Sequence, residues 1–287
     1  MYSQMMRASF WEKQKEKIKC LLCPHECLIP EGGTGLCRTR KNEQGILYSL
    51  NYGQISALAL DPIEKKPLRH FKSGSMVLSA GSWGCNLACE FCQNWQIARE
   101  CPSVEAISPQ RLVEIALQVK DKGNVGIAYT YNEPLVSYEF IKDCAALVKQ
   151  AGLDNILVSN GYVNSQPLLE LAPLLDAVNI DLKAFNEKFY REICGGSLAK
   201  VKDSIMTLAD FCHVEVTTLI IPGLNDSAEE IERIAKWLAG IDSKIVYHIT
   251  RYFPSYKMSR PQTPKEKIFA LKKVADKFLQ NVYAGNI

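Results

Sequence analysis

Gly84-Cys85-Asn86-Leu87-Ala88-Cys89-Glu90-Phe91-Cys92-Gln93-Asn94 carries three cysteines within eight positions, and no fourth follows at a comparably tight spacing. A 4Fe-4S cube is normally held by four thiolates. A cube on this loop would leave one iron without a protein ligand and open to a small molecule. The competing reading is a structural zinc site, which is closed by four ligands, commonly from two CxxC units. Cys101 offers a fourth thiolate, but it lies well past the loop, before Pro102, and the spacing favours the open cluster.

Outward from that loop the chain alternates short apolar runs with amphipathic stretches. Strands are expected at Met76 to Ser79, Val125 to Tyr131, Asn155 to Ser159, Ala177 to Asp181, Val214 to Ile220 and Lys244 to Thr250, each rich in Val, Ile or Tyr. Helices fall between them. Ser108-Pro109 supplies a cap and a first-turn proline, and Gly123 a stop; Ser227-Ala228-Glu229-Glu230 reads as a capping box closed at Gly240, with Ile231, Ile234, Ala235 and Leu238 as its apolar face. Thr263-Pro264-Lys265-Glu266 reads as another box. About six such units with near-continuous apolar strands predict a parallel, buried sheet. Periodicity does not separate a curved barrel from a doubly wound sheet. In either architecture the reacting residues sit at the carboxyl ends of the strands.

Composition narrows the class. The 287 residues are 47% hydrophobic and 23% charged, which suits one globular domain of barrel size with a small appendage. A net charge of +3 is too small to imply nucleic acid, and the run Glu12 to Lys19 alternates lysines with glutamates as a solvated face does. The start, Met1 to Arg7, has no apolar signal region, and no stretch is long enough to span a bilayer. With eleven cysteines, that predicts a reducing, cytoplasmic setting and no membrane partner.

The pattern Cys-x-x-x-Cys-x-aromatic-Cys, filled by Cys85, Cys89, Phe91 and Cys92, resembles the signature of radical S-adenosylmethionine (radical SAM) enzymes. The resemblance implies a 4Fe-4S cluster whose unique iron chelates S-adenosylmethionine, and reductive cleavage to a 5'-deoxyadenosyl radical that abstracts hydrogen from a substrate. It also implies a partial (β/α)6 TIM-like barrel over residues 76–287, behind a Cys-rich extension over residues 1–75. The cofactor would do the difficult chemistry while the protein orients it and excludes water.

The strand ends extend the likeness to glycyl-radical activating enzymes such as pyruvate formate-lyase activase. Thr130-Tyr131-Asn132-Glu133 stands where the family often has Gly-Gly-Glu; the glycines are missing and Glu133 is kept, so Asn132 and Glu133 are implied cofactor contacts. Ser159-Asn160-Gly161 is similar to the activases' Thr-Asn-Gly, although Val158 stands where they place an acid. Asp181-Leu182-Lys183 matches their Asp-Leu-Lys, which approaches the cofactor carboxylate and ribose; a lysine ammonium suits a carboxylate. His248 resembles a strand-end histidine that touches the cofactor, against the plainer reading of a satisfied core histidine; His70 and His213 do not rise above it. Arg251, Tyr252 and Tyr256 would face the open end of the barrel, where they could meet the substrate.

A second cysteine group, Cys20-Leu21-Leu22-Cys23-Pro24-His25-Glu26-Cys27 with Cys37 beyond a glycine-rich turn, can close zinc or a second iron-sulfur cluster, and spacing does not choose. Together with Asp61 to Leu68, otherwise a surface turn fixed by prolines, this block resembles the radical SAM member of the AmmeMemoRadiSam system. That resemblance implies an electron donor such as ferredoxin or flavodoxin, and either Memo-like and AMMECR1-like partners or, on the activase side, a protein substrate that receives a glycyl radical. A non-catalytic metal-binding or electron-transfer protein is the alternative of another class. Cys144, Cys194 and Cys212 are isolated; Cys144 reads as a small core residue, and Cys194, before two glycines, as the most plausible reactive thiol of the three, although a plain buried one is favoured.

Overall fold

The computed structural model describes residues 5–100 and 102–287; Cys101, the alternative fourth ligand of the loop, lies outside the described residues. Eight strands form one sheet: β1 (Ala57–Pro62), β2 (Met76–Gly81), β3 (Asn124–Tyr129), β4 (Asp154–Ser159), β5 (Ala177–Asp181), β6 (His213–Ile220), β7 (Val246–Arg251) and β8 (Val282–Gly285). They lie side by side in chain order, β8 to β1; β2 through β8 pair in parallel, and β1 runs antiparallel to β2. A doubly wound sheet reverses its strand order at a switch point. This one never reverses, so crossovers of one hand place the helices on one face, as in a barrel. The order stops short of closure, leaving β1 and β8 as edges.

The intervening helices are α1 (Trp95–Arg99), α2 (Pro109–Gln118), α3 (Tyr138–Gln150), α4 (Ser165–Leu171), α5 (Leu198–Ala209), α6 (Ala228–Ile241) and α7 (Lys265–Ala275). Their boundaries follow the capping chemistry with two exceptions. Ser108 Oγ accepts from Arg111 N at 3.1 Å, and Gly123 closes the segment after α2 in the left-handed conformation. Ser227 Oγ accepts from Glu230 N at 3.0 Å, and Ile231, Ile234, Ala235 and Leu238 are the buried face of α6. The Glu230 carboxylate, however, does not return to the cap; it accepts from Phe185 N and pairs with Arg233, and α6 runs through Gly240 to Ile241. Thr263 is no cap either. Its hydroxyl donates to Ile220 O at 2.5 Å and accepts from Tyr252 N, so Pro264 opens α7 without a side-chain bond.

The parallel strands are buried along nearly their whole length, as strands covered on both faces must be. β3 and β4 approach closely at Gly126, where a Cβ would stand 2.0 Å from Asp154 O, a space only glycine can occupy. The sheet starts earlier than the expected division at residue 76, because β1 pairs along its whole length with β2. The segment before it builds two three-stranded sheets: Trp11–Gln14, Lys17–Cys20 and Leu28–Ile29, and Met6–Arg7, Arg40–Glu43 and Ile46–Ser49. Their apolar residues Ile18, Ile29 and Leu47 belong to the same continuous core as the barrel strands. Among the described residues no helix is long and apolar enough to cross a membrane.

Candidate active site

At the carboxyl ends of the strands a cleft of about 380 Å³ gathers most of the residues singled out by the sequence. Cys85, Cys89 and Cys92 line it together with Asn132, Glu133, Ser159, Asn160, Asp181 and Lys183. β2 delivers the cysteine loop, and the ends of β3, β4 and β5 deliver the rest, so strand parallelism alone converges side chains from residues 85 to 183.

The cysteine loop is held from several sides. Leu87 N donates to Cys85 Sγ at 3.4 Å and Asn160 Nδ2 reaches it at 3.7 Å. Ala88 N donates to Cys194 O at 2.7 Å, and Glu90 N to Ile193 O at 3.2 Å. Ser255 Oγ donates to Cys92 O at 3.0 Å. Cys194 is fully buried behind the loop with its thiol hydrogen-bonded to Cys89. That bond, with the Lys183 ammonium nearby, lowers the Cys89 thiol to about 7 against the effect of burial, whereas burial pushes Cys85 well up.

Glu133 is 2% exposed. Its carboxylate accepts from Ser159 Oγ at 2.8 Å, Asn160 N at 2.8 Å and Leu135 N at 3.0 Å. Burial nevertheless raises it to about 7, because those three donors only partly offset desolvation. Asn132 closes the neighbouring turn, accepting from Ser82 N at 3.0 Å and donating to Gly84 O at 3.0 Å. Lys183 Nζ pairs with Asp181 Oδ2 at 2.9 Å. Burial opposes its charge, but Asp181 and Cys89 outweigh that and hold the ammonium well above its ordinary range.

Tyr131 explains how this turn forms without glycines. It adopts φ of +74°, the left-handed region that costs a bulky residue on the order of 1–3 kcal/mol. Its O–H donates to Asp61 Oδ2 at 2.8 Å, its carbonyl accepts from Asn94 Nδ2 at 2.7 Å, and Lys66 Nζ stands 4.6 Å from its ring centroid. Lys66, 3% exposed, also pairs with Asp61 at 2.9 Å. Burial raises the Asp61 carboxyl, but Lys66 and Tyr131 more than reverse this and hold it well below the usual range. Lys65 and Lys66 both line the cleft. The prolines around them announce a turn, but nothing in the local sequence announces a buried lysine.

The expected strand-end contact at residue 248 falls elsewhere. β7 runs on to Arg251, and it is Thr250, one layer up, that lines the cleft. His248 lies deeper, its Nε2 2.5 Å from Glu215 Oε2 and its ring stacked on Tyr283. His213 Nε2 also meets Glu215, at 3.0 Å, and the N–H groups of Arg69 and His70 donate to it, so the histidines belong to a buried carboxylate cluster inside the sheet. Beyond β7, Arg251 Nε donates to Thr263 O at 2.6 Å and Tyr252 is fully buried, its hydroxyl donating to Met258 O. Of the three residues expected there, Tyr256 stacks on Trp95 with centroids 5.4 Å apart.

The N-terminal cysteines converge as well. Cys20, Cys23, Cys27 and Cys37 line one small cavity with His25, Arg40, Asn86 and Tyr162. Among the described residues no three Cys, His, Asp or Glu side chains are drawn in to metal-binding distance, and that holds for Cys85, Cys89 and Cys92 as for these four.

Comparison with known proteins agrees with this architecture. The Radical SAM superfamily model matches residues 82–238, and the chain belongs to that superfamily. Over 99% of this chain and 86% of the relative, it is 37% identical to an uncharacterized protein, MJ0808, of Methanocaldococcus jannaschii. Over 70% of this chain and 77% of the relative, it is 31% identical to a putative glycyl-radical enzyme activating enzyme, MJ1632, of the same organism. Among solved structures, SuiB of Streptococcus suis bound to S-adenosylmethionine superposes with a TM-score of 0.58 at 14% identity, over 70% of this chain and 48% of that one, a likeness of fold. The superfamily implies a 4Fe-4S cluster and S-adenosylmethionine, and the donor set fits them: three thiols on one loop, facing a cleft that also presents three lysines and two carboxylates.

Proposed function

We propose that this chain is a radical SAM enzyme whose Cys85, Cys89 and Cys92 hold a 4Fe-4S cluster and whose cleft binds S-adenosylmethionine. The observation that carries the reading is the convergence of those three thiols with Glu133, Asn160, Asp181 and Lys183 on one cavity at the carboxyl edge of the sheet. When bound, the cluster supplies the electron that splits S-adenosylmethionine and so starts hydrogen abstraction from a substrate. The protein's own residues do the positioning. Lys183 presents a half-buried cation to the cofactor carboxylate, with Asp181 fixing its ammonium. Glu133 locks Ser159 and Asn160 in place, and Asn132 shapes the turn that faces the cofactor amino group.

Anaerobic reconstitution with iron and sulfide, reduction, and measurement of 5'-deoxyadenosine test this reading. The parent should form it, and a Cys85→Ala/Cys89→Ala/Cys92→Ala variant should not. A parent that carries a full cluster and forms none with any reductant returns the chain to a structural or electron-transfer role.

The likeness to MJ1632, over 70% of this chain, favours a protein substrate on which the enzyme installs a glycyl radical, with a ferredoxin or flavodoxin as electron donor. A glycyl-radical signal on a co-purified partner tests it. The motif run from Cys20 through Asp61 to Asn94 supports the narrower placement in the AmmeMemoRadiSam system, in the reducing cytoplasm, with Memo-like or AMMECR1-like partners that co-purification would reveal. Cys20, Cys23, Cys27 and Cys37 form a second metal site in this reading, holding zinc or a further iron-sulfur cluster.

A further inference from the structure

We infer that Lys65 and Lys66 receive an anionic group of the substrate, a carboxylate or a phosphate, on the side of the cleft that the proposed cofactor contacts leave free. The inference rests on the proposed function for which side the cofactor takes. It goes further in naming what the substrate carries.

Strand order divides the cleft. Every cofactor contact proposed above follows one of four neighbouring strands, β2 to β5. The far side of the lining comes from the other four: Lys65 and Lys66 follow β1, Thr217 and Leu219 stand on β6, Thr250 on β7, and Asn286 follows β8. Both carboxylates of the lining, Glu133 and Asp181, lie on the first side. The far side therefore offers two ammonium groups, two hydroxyls and a carboxamide, with no acid of its own.

The charges on that side do not cancel. Asp61 stands behind the lining, where Lys66 Nζ donates to its Oδ2 at 2.9 Å and Lys65 Nζ lies 3.4 Å from its Oδ1. The same carboxylate also accepts from Tyr131 O–H. Two cations thus share one carboxylate, and one positive charge is left over. Lys66 is 3% exposed. Burial lowers its ammonium, and Asp61 offsets that only in part, so a further anion beside it would stabilise the charged form. An ammonium carries three N–H donors, and Asp61 takes one of those on Lys66.

The lysine loop is also fixed in place. Pro67 O accepts from Asn179 Nδ2 at 2.8 Å, and Asn179 Oδ1 accepts from Thr217 Oγ1 at 2.9 Å, which ties the loop to β5 and β6. The N–H groups of Arg69 and His70 donate to Glu215 on β6, and His70 Nε2 lies 2.7 Å from the Tyr283 hydroxyl on β8. A cation held from three strands gives up little further freedom when an anion arrives, which favours a defined group over a loose counter-ion.

Calorimetric titration of the anaerobically reconstituted full chain with succinate and with inorganic phosphate, at constant ionic strength and beside neutral succinamide, tests the inference. Saturable binding of at least one anion, and none of succinamide, is expected, and the tighter anion names the group. Binding should persist in Lys183→Met. It should weaken about tenfold in Lys65→Met and in Lys66→Met/Asp61→Asn, each of which removes one charge-assisted hydrogen bond to the anion. The second variant takes away the buried ammonium without stranding its partner. The Lys65 side chain is 67% exposed, so Lys65→Met decides the matter even if the buried variant does not fold. No saturable binding of either anion, or binding that depends on Lys183 and not on Lys65, would overturn the inference. Deoxyadenosine formation, measured on the same samples, judges the radical reading separately: a parent that binds the anion here and forms none fails that reading alone.

Discussion

The carboxylate of Glu133, at the end of one strand, receives the hydroxyl of Ser159 and the N–H of Asn160 at the end of the next, each at 2.8 Å. Two loops that face the cleft are thereby held in register by one buried acid.

Replacing that acid with Leu would leave the Ser159 hydroxyl and two backbone N–H groups without acceptors. Glu133→Leu should therefore lose about 2–4 kcal/mol of stability, while Glu133→Gln, which keeps an acceptor oxygen, should lose less than half as much. Urea unfolding of both variants checks the ordering; equal losses would mean that hydrogen bonding at this position matters little.

Tyr131→Phe removes the hydroxyl that Asp61 accepts but keeps the ring under Lys66. The strained backbone at residue 131 then has one restraint fewer, and a loss of about 1 kcal/mol is expected. Because Tyr131 and Lys66 both line the cleft, S-adenosylmethionine affinity, read by calorimetry, should fall as well.

Glu215 sets an acid limit. Burial pushes its carboxyl up, but the His213 and His248 rings and the N–H groups of His70 and Arg69 more than offset this and bring it down from 4.5 to about 2. A carboxyl lowered on folding contributes stability that is present above its unfolded value and lost as pH falls toward the folded one. The parent should lose on the order of 3 kcal/mol between about pH 4.5 and 2. Glu215→Gln, less stable at pH 7, should show a flatter profile over that window. Parallel profiles would remove Glu215 from the acid transition.

Arg40 and Glu139 form a buried pair 2.7 Å apart at 1% and 8% exposure. Breaking such a pair from one side costs about 3–5 kcal/mol. Arg40→Met should approach that cost, and Arg40→Met/Glu139→Gln should recover part of it, since the second change removes the stranded charge. A double variant no more stable than Arg40→Met would count against the pair.

The parallel strands β2 to β7 were legible because burial on both faces writes itself as unbroken apolar runs. The edge strands were not. β1 has no buried residue and ends in Asp61-Pro62, which reads as a turn, and β8 has only four residues, one of them glycine. The thiols, Glu133, Asn160 and the Asp181–Lys183 pair could be found because short motifs mark strand ends. Lys66 could not, since its burial depends on Asp61 and on Tyr131, 65 positions away, meeting it across the sheet. The depth of His248 likewise depends on how far β7 continues, a boundary local periodicity does not fix. Thr263, with all the marks of a cap, was recruited instead by Ile220 O, a partner 43 residues distant.

The order in which the chain emerges during synthesis has a bearing on the N-terminal cysteines. Their surroundings are completed by Asn86, Val136 and Tyr162, and the segment is tied down by Ser9 N to Glu139 and Asn164 Nδ2 to Leu21 O, contacts spanning 130 and 143 residues. Contacts of such long range form late. The thiols of Cys20, Cys23, Cys27 and Cys37 therefore stay without these walls until more than half of the protein has been made.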